Sequence, residues 1–185
     1  MRYSTEHKEQ TRQKLVQSSG AIAKQGGFSA TGVAGLMKAI GLTGGAFYNH
    51  FPSKDDLFSE IVRQELSGSR INLRAQEGDL TLDRLQRCLD QYLSLAHVHN
   101  PQSGCPIPTL GGEIARADIG VREEAEHWLV TLHQAWSVTL NDDALAWAML
   151  AQCVGALVIA RMLAGEATQL AVLQASRAFL QEAMD

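Results

Sequence analysis

Apolar positions recur along this chain at intervals of three and four residues, not at every second one, and glycine, proline and capping residues punctuate the runs between them. This period predicts helices. A first helix is expected over about Thr5 to Gln25, with Leu15, Ile22 and small Ser/Ala residues facing inward, ended by Gly26-Gly27. A short second helix follows over about Thr31 to Ala39, its apolar side made of Val33, Leu36, Met37 and Ile40, and Gly41 stops it. Thr43 is placed to cap a third short helix reaching about His50, which Pro52 cannot extend. Ser53 and Asp56 have capping-box spacing and open a long fourth helix to about Arg74.

The remainder reads as an antiparallel helical body. One helix is predicted over Leu80 to His97, then a connector rich in Asn, Pro, Ser and Gly over 99–104, then an irregular segment from Cys105 to about Arg116. Further helices are predicted over about Gly120 to Leu140, from a cap at Asn141 to about Leu163 where Gly165 ends it, and from about Glu166 to Met184. Runs of Val, Ile, Thr and Tyr with period two are scarce, so the expected class is all-α. The expected division is a small helix-turn-helix head over residues 1–50 and a helical bundle over 51–185, joined without a flexible linker.

Charge sharpens this division. Residues 1–54 carry seven Lys/Arg against Glu6 and Glu9, a balance of +5, whereas the rest holds 9 basic and 18 acidic side chains, −9, within a total of −4. A basic head on an acidic body suits binding to a polyanion, although an uneven surface alone gives the same count. Residues Ala144 to Ala160 are nearly all apolar, but the run is short for a membrane span and is closed by Asp142, Asp143 and Arg161. A buried or subunit-interface helix has the same composition, and that reading is preferred, with no membrane partner. The polar stretch Met1 to Ser18 does not read as a signal peptide, so a cytoplasmic location is expected. Cys88, Cys105 and Cys153 are odd in number and widely spaced, which argues against both a disulfide framework and a metal knuckle.

Two short helices around a tight turn at Gly41 form a helix-turn-helix pattern, in which the second helix enters the major groove. Phe47 and Phe51, four apart, share a face and pin that helix inward. Thr43, Gly44 and Gly45 at its amino-terminal end face the base edges, and Tyr48, Asn49, His50 and Lys54 are left to meet phosphate or base, joined by Lys38 from the neighbouring helix.

The stretches Gly27-Phe28-Ser29-Ala30-Thr31, Gly41-Leu42-Thr43-Gly44-Gly45-Ala46-Phe47-Tyr48-Asn49-His50-Phe51 and Ser53-Lys54-Asp55-Asp56-Leu57-Phe58 together resemble the amino-terminal domain of the tetracycline-repressor (TetR) family over about the first 60 residues. The resemblance implies a three-helix DNA-binding head, a helical ligand-binding and dimerisation body, a homodimer on a palindromic double-stranded operator, and release by a small molecule. It also implies DNA contacts from Thr31, Thr43, Gly45, Tyr48, His50 and Lys54. Gly32, Ala34, Gly35 and Gly44 depart from the side chains common there, so readout by side chains should be sparse.

A cavity for a small apolar, aromatic or electrophilic effector is expected beside the irregular segment, where Pro101, Gly104, Pro106, Pro108, Gly111 and Gly112 crowd into twelve residues. Its candidate lining is His97, Cys105, Ile107, Leu110, Trp128, Thr131 and Trp136. Cys105 at a helix start would have a lowered thiol pKa, and some regulators of this kind with a Gly-Cys pair here respond to electrophiles or oxidants; a packing role is the alternative. His97 and His99 are two apart and do not share a helix face, so no metal site is expected, nor any cofactor. There is no nucleophile elbow, phosphate loop or zinc-protease motif, and no enzyme activity is expected. The competing class is a helical small-molecule-binding protein or enzyme with a coincidental head.

Overall fold

The computed structural model describes residues 5–68 and 80–184, and every regular element among them is helical. The head comprises α1 (Thr5–Gly26), α2 (Val33–Ala39), a 3₁₀ helix (Gly44–Asn49) and α3 (Lys54–Ser67). The body comprises α4 (Leu82–Tyr92), α5 (Leu95–His99), a short 3₁₀ turn (Pro101–Ser103), α6 (Ile107–Ile114), α7 (Ile119–Leu140), α8 (Asp143–Met162) and α9 (Glu166–Met184).

The stop signals act where glycine has positive φ: Gly27 (φ 86°) ends α1 and Gly41 (φ 76°) turns the chain out of α2. Ser53 accepts the Asp56 amide at 3.0 Å, as the capping spacing requires. α3 ends at Ser67; the expected extension to Arg74 falls outside the described residues.

Several expectations need correction. The third head helix is a 3₁₀ segment: Ala46 N–H reaches Thr43 O at 3.0 Å and His50 N–H reaches Phe47 O at 2.8 Å, each three residues back. The segment over 80–97 is two helices, because the Ser94 hydroxyl captures the His97 amide at 3.2 Å and starts a new one. Residues 107–114 form a regular helix, since Pro106 is its N-cap and Pro108 lies in its first turn, where no amide is owed to a preceding carbonyl. Asn141, in the left-handed conformation (φ 52°), ends α7, and Asp142 caps α8 by accepting the Leu145 amide at 2.9 Å. Gly165 ends no helix either; its carbonyl accepts the first amide bonds of α9.

Two apolar clusters result. The first unites Leu15, Leu36, Phe47, Leu57 and Ile61 of the head with Leu110 and Ile114 of α6, crossing the expected boundary at residue 50. The second fills the body between α4, α7, α8 and α9, around Leu85, Trp136, Met149, Leu157 and Leu173. α8 is long and apolar enough to cross a membrane, but it packs between α7 and α9 with Leu150, Cys153 and Leu157 buried. Leu173 and Leu180 of α9 also point into this core, leaving Ala171, Ala175, Ala178 and Phe179 outward. Arg161 of α8 ties the body to the base of α6, donating to the Thr109 hydroxyl at 2.9 Å and the His97 carbonyl at 3.0 Å.

Candidate nucleic-acid interface and effector cavity

The 3₁₀ helix is held from beneath and bare above. Phe47 is fully buried, edge-on to Tyr48 at 5.3 Å and 6.1 Å from Phe51. This anchoring leaves the Tyr48 side chain 67% exposed, beside exposed Thr43, Gly45 and Asn49. Gly44 is half-buried against α2, facing the Ala34 backbone at a distance where a Cβ would make ordinary contact. Lys38 is exposed at the end of α2, and Thr31 is half-buried before its start. His50 is half-buried; burial, then the positive charges of Lys8 and Arg12, hold its pKa below the ordinary value.

The basic side chains of the head divide into two groups. Lys24 is buried and bonded to Glu65 at 2.6 Å, and Arg12 pairs with Glu60 at 3.2 Å. The Lys54 ammonium donates to the Phe28 carbonyl at 2.9 Å and sits 4.6 Å from the Phe28 ring centre. These three therefore shape the head, while Lys8, Lys14 and Lys38 are exposed. The sequence count of basic residues overstates the positive charge available to a phosphate backbone.

The body encloses a cavity of about 50 Å³. Tyr92 of α4, Cys105 and Ile107 at the entry to α6, Trp128 and Trp136 of α7, and Cys153 of α8 form its wall; the rest is aliphatic apart from Cys88. Four of the seven expected residues thus converge: Cys105, Ile107, Trp128 and Trp136. The other three do not. Leu110 lies in the head-side core, and Thr131 donates to the His127 carbonyl at 2.8 Å on the α7 surface. His97 is held by its own chain: Nδ1 donates to the Tyr92 carbonyl (2.8 Å) and Nε2 accepts the Cys105 amide (3.1 Å). This pairing is that of a neutral ring, and burial lowers its pKa. The ring lies where a Cβ on Gly104 would stand, which explains the glycine before Cys105.

The expectation of a low thiol pKa fails at Cys105. The Ile107 amide favours the thiolate, but burial outweighs it and the net direction is upward. Cys153 is pushed up to about 12 by burial. Both of these thiols are therefore held in the neutral form at neutral pH.

Sequence reading missed the contact that joins the cavity's helix to the head. Glu113, on the last turn of α6, accepts the Phe28 amide at 2.8 Å, the Ser29 amide at 2.9 Å and the Ser29 hydroxyl at 2.7 Å. These groups form the turn between α1 and α2, the same turn that Lys54 holds from its other side. Lys24 of α1 reaches the Gly104 carbonyl at 3.5 Å, a second link at the opposite end of the α6 segment. The one available signal was Glu113 itself, the single acidic residue between Cys105 and Ala117.

With this geometry established, the relationships of the chain are informative. Residues 20–61, spanning the end of α1 to α3, match the family of bacterial regulatory proteins described as the tetR family. Residues 20–61 thus carry a head similar to that of the tetR family. It is 41% identical over 70 residues to the HTH-type transcriptional regulator AcrR of Shigella flexneri, covering 38% of this chain and 32% of that protein. The match thus spans about a third of AcrR's length. Identity is 28% over 143 residues to the nucleoid occlusion factor SlmA of Marinobacter nauticus, covering 76% of this chain and 72% of that protein. Among solved structures, Escherichia coli NemR in its reduced form superposes with a TM-score of 0.77 at 20% identity, covering 94% of this chain and 96% of NemR. A TetR-family regulator from Agrobacterium tumefaciens superposes with a TM-score of 0.76 at 18% identity, covering 95% and 98%. These superpositions show that the chain shares its head-and-body fold with both structures.

Proposed function

We propose that this protein is a DNA-binding transcriptional regulator, acting in the cytoplasm as a homodimeric repressor of a palindromic operator and released by a small apolar effector in the body. The observation that carries the reading is the 3₁₀ helix of the head, pinned by buried Phe47 with Tyr48, Asn49 and Thr43 displayed outward. Such a display suits base and phosphate contacts in a major groove. Lys38 and the Gly45 backbone flank it, and His50 adds a ring whose pKa a phosphate would raise.

Dimerisation is supported by the outer face of α8 and α9. Ala144, Ala148, Ala151, Gly155, Ile159 and Met162 recur at three- and four-residue steps along α8, with Met162 78% exposed. Phe179 on α9 is 58% exposed beside Ala175 and Ala178. A second copy packed on this seam would form a four-helix contact and set two heads on one duplex.

Coupling follows from size. A single aromatic ring fills a cavity of about 150 Å³, three times the space present, so entry must displace the wall. Ile107 is in that wall at the start of α6, and Glu113 grips the head six residues further, about 9 Å along the helix. Displacing α6 therefore acts on the α1–α2 turn.

The test is selection of duplexes from a random pool. A recovered palindrome, bound with an affinity that Tyr48→Ala lowers at least tenfold, supports the reading. Lys38→Ala should flatten the salt slope by about 0.9 for one lost phosphate contact. Recovery of no sequence, with binding indifferent to Tyr48, would end it.

A further inference from the structure

Two residues of the cavity wall each carry a buried polar atom that finds no oxygen or nitrogen partner in the protein. Trp136 Nε1–H and the Tyr92 hydroxyl are both buried without a hydrogen-bond partner, and both residues line the cavity, at 2% and 8% exposure. The neighbouring indole differs: Trp128 Nε1 donates to Glu124 at 3.0 Å. The Tyr92 hydroxyl interacts only with the Cys105 thiol, a weak partner and no substitute for an oxygen. A buried donor left unpaired is costly, and such atoms gather where a ligand completes them.

We infer that the effector of this cavity is a neutral, mainly apolar molecule carrying one acceptor oxygen of carbonyl type, received by Trp136 Nε1–H and the Tyr92 hydroxyl. An indole can only donate, so the ligand group facing it must accept. The wall itself is thiol, aliphatic and aromatic, and Arg161, the cation whose charge reaches Tyr92 and Cys105, already donates to the Thr109 hydroxyl and the His97 carbonyl, so a carboxylate or ammonium ligand would lose its hydration for little replacement. A pure hydrocarbon would fill the space but leave both donors as they are now. The inference assigns a ligand class to the effector site proposed above and rests on that site being one. Its test reads binding without DNA, so failure of operator binding alone would not count against it.

The experiment is titration calorimetry of the full chain with three probes of similar shape: acetophenone, α-methylstyrene, in which C=CH₂ replaces C=O, and benzoate. Acetophenone should bind at least about fivefold more tightly than α-methylstyrene, the worth of one hydrogen bond, and benzoate should not compete. Tyr92→Phe and Trp136→Phe each remove one donor and keep most of the volume; the ketone preference should collapse in one or both. Should Trp136→Phe fail to fold, Tyr92→Phe together with the three wild-type affinities still decides. Equal affinity for ketone and alkene, tighter binding of benzoate, no binding of either neutral probe, or a preference unchanged in every folded variant would overturn the inference.

Discussion

Replacing Glu113 with alanine removes an acceptor that meets three donors of the head within 2.9 Å: the Phe28 and Ser29 amides and the Ser29 hydroxyl. Hydrogen bonds to a charged group each contribute about 1.5–3 kcal/mol. The carboxylate is only half-buried, and water would compensate part of the loss at the exposed Ser29. A net cost of about 2 kcal/mol to the local structure is therefore expected, less than the sum of the three bonds. Lys54 still holds the Phe28 carbonyl, so the turn should open more often without unfolding the head. At 1.4 kcal/mol per tenfold, the Phe28 and Ser29 amides should exchange hydrogen about thirtyfold faster. Amides in the middle of α8 should keep their protection.

Native-state hydrogen exchange read by mass spectrometry over residues 27–31 makes the measurement. Glu113→Gln should fall between the two, since an amide oxygen still accepts one bond while its NH₂ faces a second donor. If exchange at Phe28 and Ser29 is unchanged in Glu113→Ala, the contact is not holding the turn and coupling through α6 loses its basis. If the exchange rises as expected, the same variant should bind operator and effector but show blunted effector-dependent release.

The remaining predictions concern assembly, pH and packing. Ile159→Glu or Phe179→Glu puts a carboxylate into the proposed α8/α9 seam at a cost of at least about 3 kcal/mol, so sedimentation should show more than a hundredfold weaker dimerisation; a wild-type chain that is monomeric at micromolar concentration refutes the seam. His97 has a pKa lowered from 6.5 by burial, so below that pH the unfolded chain takes up a proton that the folded one resists. Stability should then fall as pH drops from about 6.5 until the folded site protonates too, with His50 adding in the same direction. His97→Gln should reduce the slope of urea midpoints between about pH 7.5 and 5, and identical slopes would disprove the assignment. Gly104→Ala sets a methyl against the His97 ring and should cost about 1–3 kcal/mol, with His97→Ala in the same chain recovering part of the loss; additive effects of the two changes would show that they do not touch.

What could be read in advance was what depends on neighbours in sequence. Gly27 and Gly41 stop helices through their own φ, Ser53 caps through a residue three positions on, and Phe47 with Phe51 share a face by spacing alone. Errors arose where two local signals competed or a partner was remote. Asn141 and Asp142 are both capping residues, and only the left-handed backbone at Asn141 decides that one ends α7 while the other starts α8. Pro106 and Pro108 read as breakers, yet proline in a first turn suits a helix. Lys24, Arg12 and Lys54 counted toward a basic face because their partners Glu65, Glu60 and the Phe28 carbonyl are 26 to 48 residues away.

The grouping of Ile107 and Leu110 in one cavity wall failed in a way that bears on mechanism. Once 107–114 is a helix, Ile107, Leu110 and Ile114 lie at i, i+3 and i+7, one continuous apolar stripe. Its first member lines the cavity and also packs against the head-side core. Its second and third members belong to that core outright, with Leu36, Phe47 and Ile61. The stripe therefore runs from the cavity to the packing beneath the 3₁₀ helix of the head, with Glu113 beside its far end on the α1–α2 turn. Close-packed cores do not deform by small continuous steps. A wall displacement at Ile107 must then shift Leu110 and Ile114 as part of one rigid helix, and the head either moves with α6 or releases Glu113.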